Sequence, residues 1–293
     1  MWVAVYERFR RFDVALIATK DQVDDATTKV GGILKSLNSA YTGVANHENG
    51  LIVGSWGKAT QIVHTEDVDL LYVVPVATYQ RFNGHQGNGQ SALLQEVKGI
   101  VGATYPTTTM RGDGQVVVVA FNSLTIEVIP AVALQNGQYW ICDTHGGGRW
   151  VATDPSAQVQ ALNAADNDSA GNTRRLIRMV KAWKHARNVP IKAFQLELLV
   201  TEFMTNYAYR TASYFWFDWF VRDFFAFLAG RGNGYVWVPG TYEMVALGNA
   251  WLPAAQRAAT VSDLACRYEH IDLVESAGDE WQKIFGGLVP RVA

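Results

Sequence analysis

A chain of 293 residues that is 49% hydrophobic can bury one large domain or two lobes, and its net charge of −2 excludes a sequence-blind binder of nucleic acid. Two cysteines, Cys142 and Cys266, are too few for a disulfide framework and set the expectation of a reducing, cytoplasmic location. The N-terminal segment lacks the basic, apolar and small-residue order of a signal peptide.

In chain order, Val23, Ala26, Val30, Ile33, Leu34, Leu37 and Tyr41 recur at spacings of three and four and predict a helix over 21–41. Leu51-Ile52-Val53 reads as a short buried strand that stops at Gly54. Val68 to Val76 reads as a second strand, and Gln90 to Val101 as a helix. "QVVVVAF" and "LTIEVIPAV", separated by Asn122 and Ser123, carry a hairpin signal, and "HGGG" at 145–148 reads as another hairpin tip. Beyond about residue 160 the pattern turns helical, over 172–187, 194–207, 214–229 and 254–285. "GRGNG" at 230–234 follows a helix, so it reads as a cap and turn rather than a dinucleotide loop. The apolar run "YFWFDWFVRDFFAFLAG" is broken by Asp218, Arg222 and Asp223 and is shorter than the roughly 20 residues a membrane span needs. It reads as a buried helix, with a partner-binding aromatic helix as the rival reading, and no membrane association is expected. The expected architecture is α+β: a mixed sheet with helices over 1–155, including an N-terminal helix, and a helical C-terminal lobe over 156–293.

Asp67 and Asp69, two apart at a strand's beginning, project from the same face. Like charges so close repel unless a cation sits between them, and a divalent metal ion is the natural oxygen-liganded partner. Glu127, flanked by Ile126 and Val128, would join them if its strand lay beside 68–74. Three carboxylates so placed can hold two metal ions. A bare Asp-x-Asp is also compatible with solvated strand-edge residues. Gly54 allows close backbone approach to a phosphate, while Ser55, Lys58 and Thr60 add donors. The stretch is neither a Walker A loop, since Ile52 and Ala59 stand at required positions, nor a nucleophile elbow, since Val53 stands where that motif needs glycine. Arg174, Arg178, Lys181 and His185, spaced four, three and four, form a basic stripe on one helix face. It suits a triphosphate tail, or it is a solvated charged face. Cys142 with His145 and Cys266 with His270 would make a zinc site only if the two pairs met.

"GSWGKAT", "EDVDLLYVVP", "IEVIPAV", "RRLIRMVKAWK", "FQLELLV" and "PGTYEMVALGNAW" together resemble the cGAS/DncV-like nucleotidyltransferases of bacterial antiphage (CBASS) signalling. These belong to the polymerase β-like superfamily. The resemblance implies template-independent joining of nucleoside triphosphates, ATP among them, into a cyclic oligonucleotide with pyrophosphate released. It implies two Mg²⁺ or Mn²⁺ ions on Asp67, Asp69 and Glu127, donor phosphates on Gly54 and Ser55, with Lys58 and Thr60 nearby, and Lys181 on the phosphate tail. It further implies a monomer and an accessory protein acting on the C-terminal residues, Val292 and Ala293. DNA is not an obligate partner, because no Cys/His insert is present and the charge is negative. Two departures stand out: Glu127 where many relatives have Asp, and Ala193 where many have Ser. A linear oligonucleotide synthetase, an RNA-tailing enzyme and a non-catalytic nucleotide sensor are the alternatives.

Overall fold

The computed structural model describes residues 3–293, and the chain forms two compact units whose membership is not linear. A sheet unit comprises Thr19–Ala59 and Thr65–Ala157. A helical unit joins the N-terminal residues through Ala18, the short stretch Thr60–His64 and everything from Gln158. The sequence division at 155/156 lies close to the last of these breaks. The first helix, however, expected with the sheet, belongs to the helical unit.

In chain order the elements are α1 (Val3–Leu16), α2 (Lys20–Thr42), β1 (Gly50–Ile52), the single turn α3 (Gly54–Gly57), β2 (Asp67–Val73), α4 (Val76–Asn83) and α5 (Gly89–Thr104). Then come β3 (Thr109–Asp113), β4 (Val116–Ala120), β5 (Thr125–Ala133), β6 (Tyr139–Asp143) and β7 (Arg149–Thr153). The rest is α6 (Pro155–Asp168), α7 (Asn172–Ala186), α8 (Ala193–Asn206), α9 (Phe217–Ala229), β8 (Tyr235–Trp237), β9 (Met244–Ala246), α10 (Leu252–His270) and α11 (Val274–Phe285).

The sheet runs β1-β2-β5-β4-β3, with β6 pairing β5 and β7. Only β2 and β5 are parallel among these pairs, so the sheet is mixed, as expected. Alternation decides its faces. Val68, Leu70 and Tyr72 of β2, Ile126 and Val128 of β5, and Val117 and Val119 of β4 point into a core closed by α2 and α5. The residues between them, Asp67, Asp69 and Glu127 included, are left on the other face. At the start of α2, Gln22 N–H donates to Thr19 Oγ1 while Thr19 N–H donates to Gln22 Oε1, a reciprocal cap. "HGGG" sits in the connection between β6 and β7, the expected hairpin tip.

In the helical unit α1 contributes Val5, Phe9, Phe12 and Leu16, all fully buried, to one core with α7 to α11. The aromatic run becomes α9, preceded by a 3₁₀ turn at Tyr214–Trp216, and its Phe217, Phe220, Val221, Phe224, Phe225 and Leu228 are buried. The stretch 254–285, expected as one helical segment, is two helices. Asp272 adopts a left-handed backbone (φ 57°) and lets α11 pack against α10. Among the described residues no helix is long and apolar enough to cross a membrane. Strands β3, β6, β7, β8 and β9 escaped the sequence reading because each is three to five residues long and lacks a clean period-two pattern.

Candidate active site

The parallel register of β2 and β5 sets Asp67 opposite Thr125 and Asp69 opposite Glu127. Paired residues share a face, so the three carboxylates stand together on the side away from the core. Asp67 is exposed; Asp69 and Glu127 are half-buried. The row continues across β4 to β3, since Glu127 pairs with Val118 and Val118 with Arg111. Burial pushes the Glu127 carboxyl above its ordinary range, the charges of Asp67 and Asp113 push it further, and Arg111 acts in the opposite sense.

The turn after β1 is bound to the same strand. Val53 N–H donates to Asp69 O at 2.9 Å, and the indole N–H of Trp56 donates to Asp67 O at 2.9 Å. Gly54 has φ 59°, and a Cβ there would overlap Asp69 Oδ2. Only glycine meets both demands, which are a left-handed backbone and a carboxylate packed against the turn. Ser55 follows, half-buried, and Lys58 is buried at the end of the sheet unit's first segment.

These residues fit a divalent cation by the chemistry of the donor set: three adjacent oxygen-bearing acids, one with its charge disfavoured by burial and by its like-charged neighbours. They stand adjacent rather than converged. Among the described residues no three His, Cys, Asp or Glu side chains are already close enough to enclose an ion.

Thr60 and Lys181 meet in the helical unit, both buried. Lys181 Nζ donates to Thr60 O at 3.0 Å, to Thr60 Oγ1 at 3.0 Å and to Glu197 Oε1 at 2.5 Å, and Thr60 Oγ1 donates to the same Glu197 oxygen at 2.5 Å. Three of the four members of the basic stripe on α7 are therefore neither free cations nor fully solvated ones. Arg174 pairs with Asp166 at 2.7 Å, Arg178 with Asp13 at 2.7 Å, and His185 stacks on His64 at 4.2 Å. Acids on other helices answer Arg174, Arg178 and Lys181, as partly buried charge requires, while His185 is exposed. Ala193 is the first residue of α8 and offers no hydroxyl.

Sequence reasoning missed Glu197, Trp56, Arg111 and Asp113. Glu197 carried a signal, as an acid in the otherwise apolar "LELLV". Arg111 and Asp113 had none without the pairing of β3 to β4 and of β4 to β5, and Trp56 had none without its bond to β2. Cys142 and Cys266 are both buried, and burial pushes the Cys142 thiol up to about 12 and the Cys266 thiol higher still. No cluster of ligands gathers about either among the described residues.

Residues 3–166 match the model of the Second Messenger Oligonucleotide or Dinucleotide Synthetase domain. A probable cyclic nucleotide synthase of Bacillus cereus (strain VD146) is 25% identical over 173 residues, which cover 56% of this chain and 51% of that protein; the chain thus spans about half the length of this curated relative. Among solved structures, CdnC of E. coli MS115-1 with ATP superposes with a TM-score of 0.71 at 15% identity, covering 97% of this chain and 98% of that one. The same protein in complex with HORMA-deltaN gives 0.70 at 16% identity, over 97% and 98%. The Vibrio cholerae DncV cyclic AMP-GMP synthase with its linear intermediate gives 0.75 at 12% identity, over 98% of each chain. At such identities the likeness is one of fold: the mixed sheet with helices and the helical lobe expected from the sequence.

Proposed function

The chain belongs to the Second Messenger Oligonucleotide or Dinucleotide Synthetase domain family, and on that premise we propose that it is a nucleotidyltransferase that joins nucleoside triphosphates into a cyclic oligonucleotide and releases pyrophosphate. The observation that carries the reading is the register that sets Asp69 beside Glu127, with Asp67 on the same face and Gly54 packed against Asp69.

Asp67, Asp69 and Glu127 would hold two Mg²⁺ or Mn²⁺ ions. When bound, such ions supply charge stabilisation for the attacking hydroxyl and for the departing pyrophosphate. Glu127, its carboxyl held above the ordinary range, is suited to take the proton of the attacking ribose hydroxyl. Gly54 and Ser55 would take the donor's phosphates, with Lys58 behind them. Lys181 and Thr60 would contribute through the Glu197 cluster. Lys181 is already paired there, so any role of its charge toward a triphosphate tail would be as part of that network. ATP, held by the CdnC structure, is the first substrate to test. By analogy with the HORMA complex of CdnC, an accessory protein is the partner proposed, in antiphage signalling.

The test is incubation with the four ribonucleoside triphosphates and Mg²⁺ or Mn²⁺, followed by mass spectrometry of phosphatase-resistant products. A cyclic product that disappears in Asp67→Asn and Asp69→Asn, with the fold intact by circular dichroism, supports the reading. Products with free 3′ ends would favour a linear synthetase or a tailing enzyme. Triphosphate binding without turnover would favour a nucleotide sensor, to which Glu127 and Ala193 lend weight.

A further inference from the structure

A cavity of about 390 Å³ opens in the helical unit, and its lining includes none of the candidate site residues. It lies between the C-terminal end of α7, the first turns of α10 and the last turn of α11. Its volume falls in the range of pockets that hold small organic molecules.

Three cations line it: Arg187, Arg257 and Lys283. The Arg187 guanidinium is fixed in place, with Nε donating to Ile284 O at 3.2 Å and Nη2 to Gln282 O. Lys283 pairs with Glu280 at 2.6 Å. Arg257 is exposed and, among the described residues, has no ion-pair or hydrogen-bond partner. None of the nine lining residues is acidic. Pro253 and Ala254, in the first turn of α10, also face the cavity, and that end of a helix carries positive partial charge. Beneath the cations the lining is apolar. Trp183, Ala258 and Ile284 are buried and Val261 is half-buried.

We propose that this cavity binds a small organic anion that joins a flat apolar ring to a phosphate or carboxylate. An inorganic ion would satisfy the cations and leave the apolar floor in water. A neutral hydrocarbon would cover the floor and leave the Arg257 guanidinium without an answering charge. A ring bearing an acid does both, and the guanidinium of Arg257 is the free fork that would grip the acid. The inference stands on the cavity alone and does not rest on the reaction proposed above.

Isothermal titration of the full chain with naphthyl phosphate tests it, with naphthoate and inorganic phosphate as comparators. EDTA is included so that the carboxylate face has no cation through which to hold phosphate. The expected result is one site that binds naphthyl phosphate or naphthoate about tenfold or more tightly than inorganic phosphate. The preference between the two aromatic anions identifies the acid group. Arg257→Ala should weaken binding about tenfold. Ala254→Phe, which fills the cavity without changing charge, should abolish it, and Asp69→Asn should leave it unchanged. Thermal melts of each variant confirm folding. The proposal is overturned if neither aromatic anion binds at about 1 mM, if inorganic phosphate binds equally well, if Arg257→Ala and Ala254→Phe have no effect, or if Asp69→Asn removes binding.

Discussion

Gly54 shows how a single residue can be held by two independent demands. Its backbone is left-handed, and the space where a side chain would stand is filled by the Asp69 carboxylate. Gly54→Ala must therefore displace either the turn or the carboxylate. Displacements of about 1 Å at a reacting centre cost on the order of a hundredfold in rate, and pyrophosphate release by this variant should fall by about that factor while the melting curve moves little. Asp218 presents a different case. It is buried in the first turn of α9, its Oδ1 has no hydrogen-bond partner among the described residues, and burial raises its carboxyl from 3.8 to about 7. The raised value means that the folded chain resists ionisation that the unfolded chain accepts. Stability associated with the neutral form is thus present below the unfolded value and lost as pH rises from 3.8 through about 7. Asp218→Asn, which cannot ionise, should melt higher than the parent at about pH 8.5, and the gap should shrink at about pH 5. An equal gap at both would show that the ionisation is not the cause.

At the scale of elements, α7 explains why a basic stripe need not be a binding surface. Arg178, Arg174 and Lys181 are paired with acids on three other segments: Asp13 on α1, Asp166 on α6 and Glu197 on α8. The Lys181–Glu197 pair is the most buried of these, at 6% side-chain exposure for each partner, and Thr60 bonds to both. Removing one member of such a pair leaves an uncompensated buried charge, which costs about 3–5 kcal/mol, whereas replacing both with apolar groups of similar size is often neutral or stabilising. Lys181→Ala should therefore lower the denaturation midpoint strongly, and Lys181→Met with Glu197→Leu should recover most of the loss. If instead both variants were stable and only nucleotide affinity fell, Lys181 would be acting on the ligand and not on the fold.

For the molecule as a whole, the arresting fact is that the helical unit draws its first helix from the far end of the chain. Phe12 is fully buried and packs against Phe285 at a ring distance of 4.9 Å, while Phe9 meets Trp281 at 5.2 Å. The buried Arg8 adds polar ties: it pairs with Glu269, and its other nitrogens donate to the carbonyls of Val274, Pro290 and Arg291. Arg11 donates to Val292 O, so the residues named for an accessory protein lie beside α1. Phe12→Ala should destabilise this unit by about 3–5 kcal/mol, the usual range for removing a buried aromatic ring, read as a lowered denaturant midpoint of its helical signal.

From the sequence alone, period-two alternation already placed Asp67 and Asp69 on one face, and period 3.6 placed Arg174, Arg178, Lys181 and His185 on another. The buried character of the aromatic helix and the mixed α+β class were equally legible, since local patterning and composition carry both. What stayed hidden is what each face meets. Glu127 comes beside Asp69 because β5 pairs with β2 in parallel and in one register, and a shift of one residue would have turned it into the core. Arg174, Arg178 and Lys181 are neutralised because Asp166, Asp13 and Glu197 reach them from α6, α1 and α8, and the break between α10 and α11 depends on a left-handed backbone at Asp272. Alternation along an element is set by covalent geometry and can be read residue by residue. Register and helix packing are set by contacts between residues far apart in the chain, and only the folded molecule brings those together.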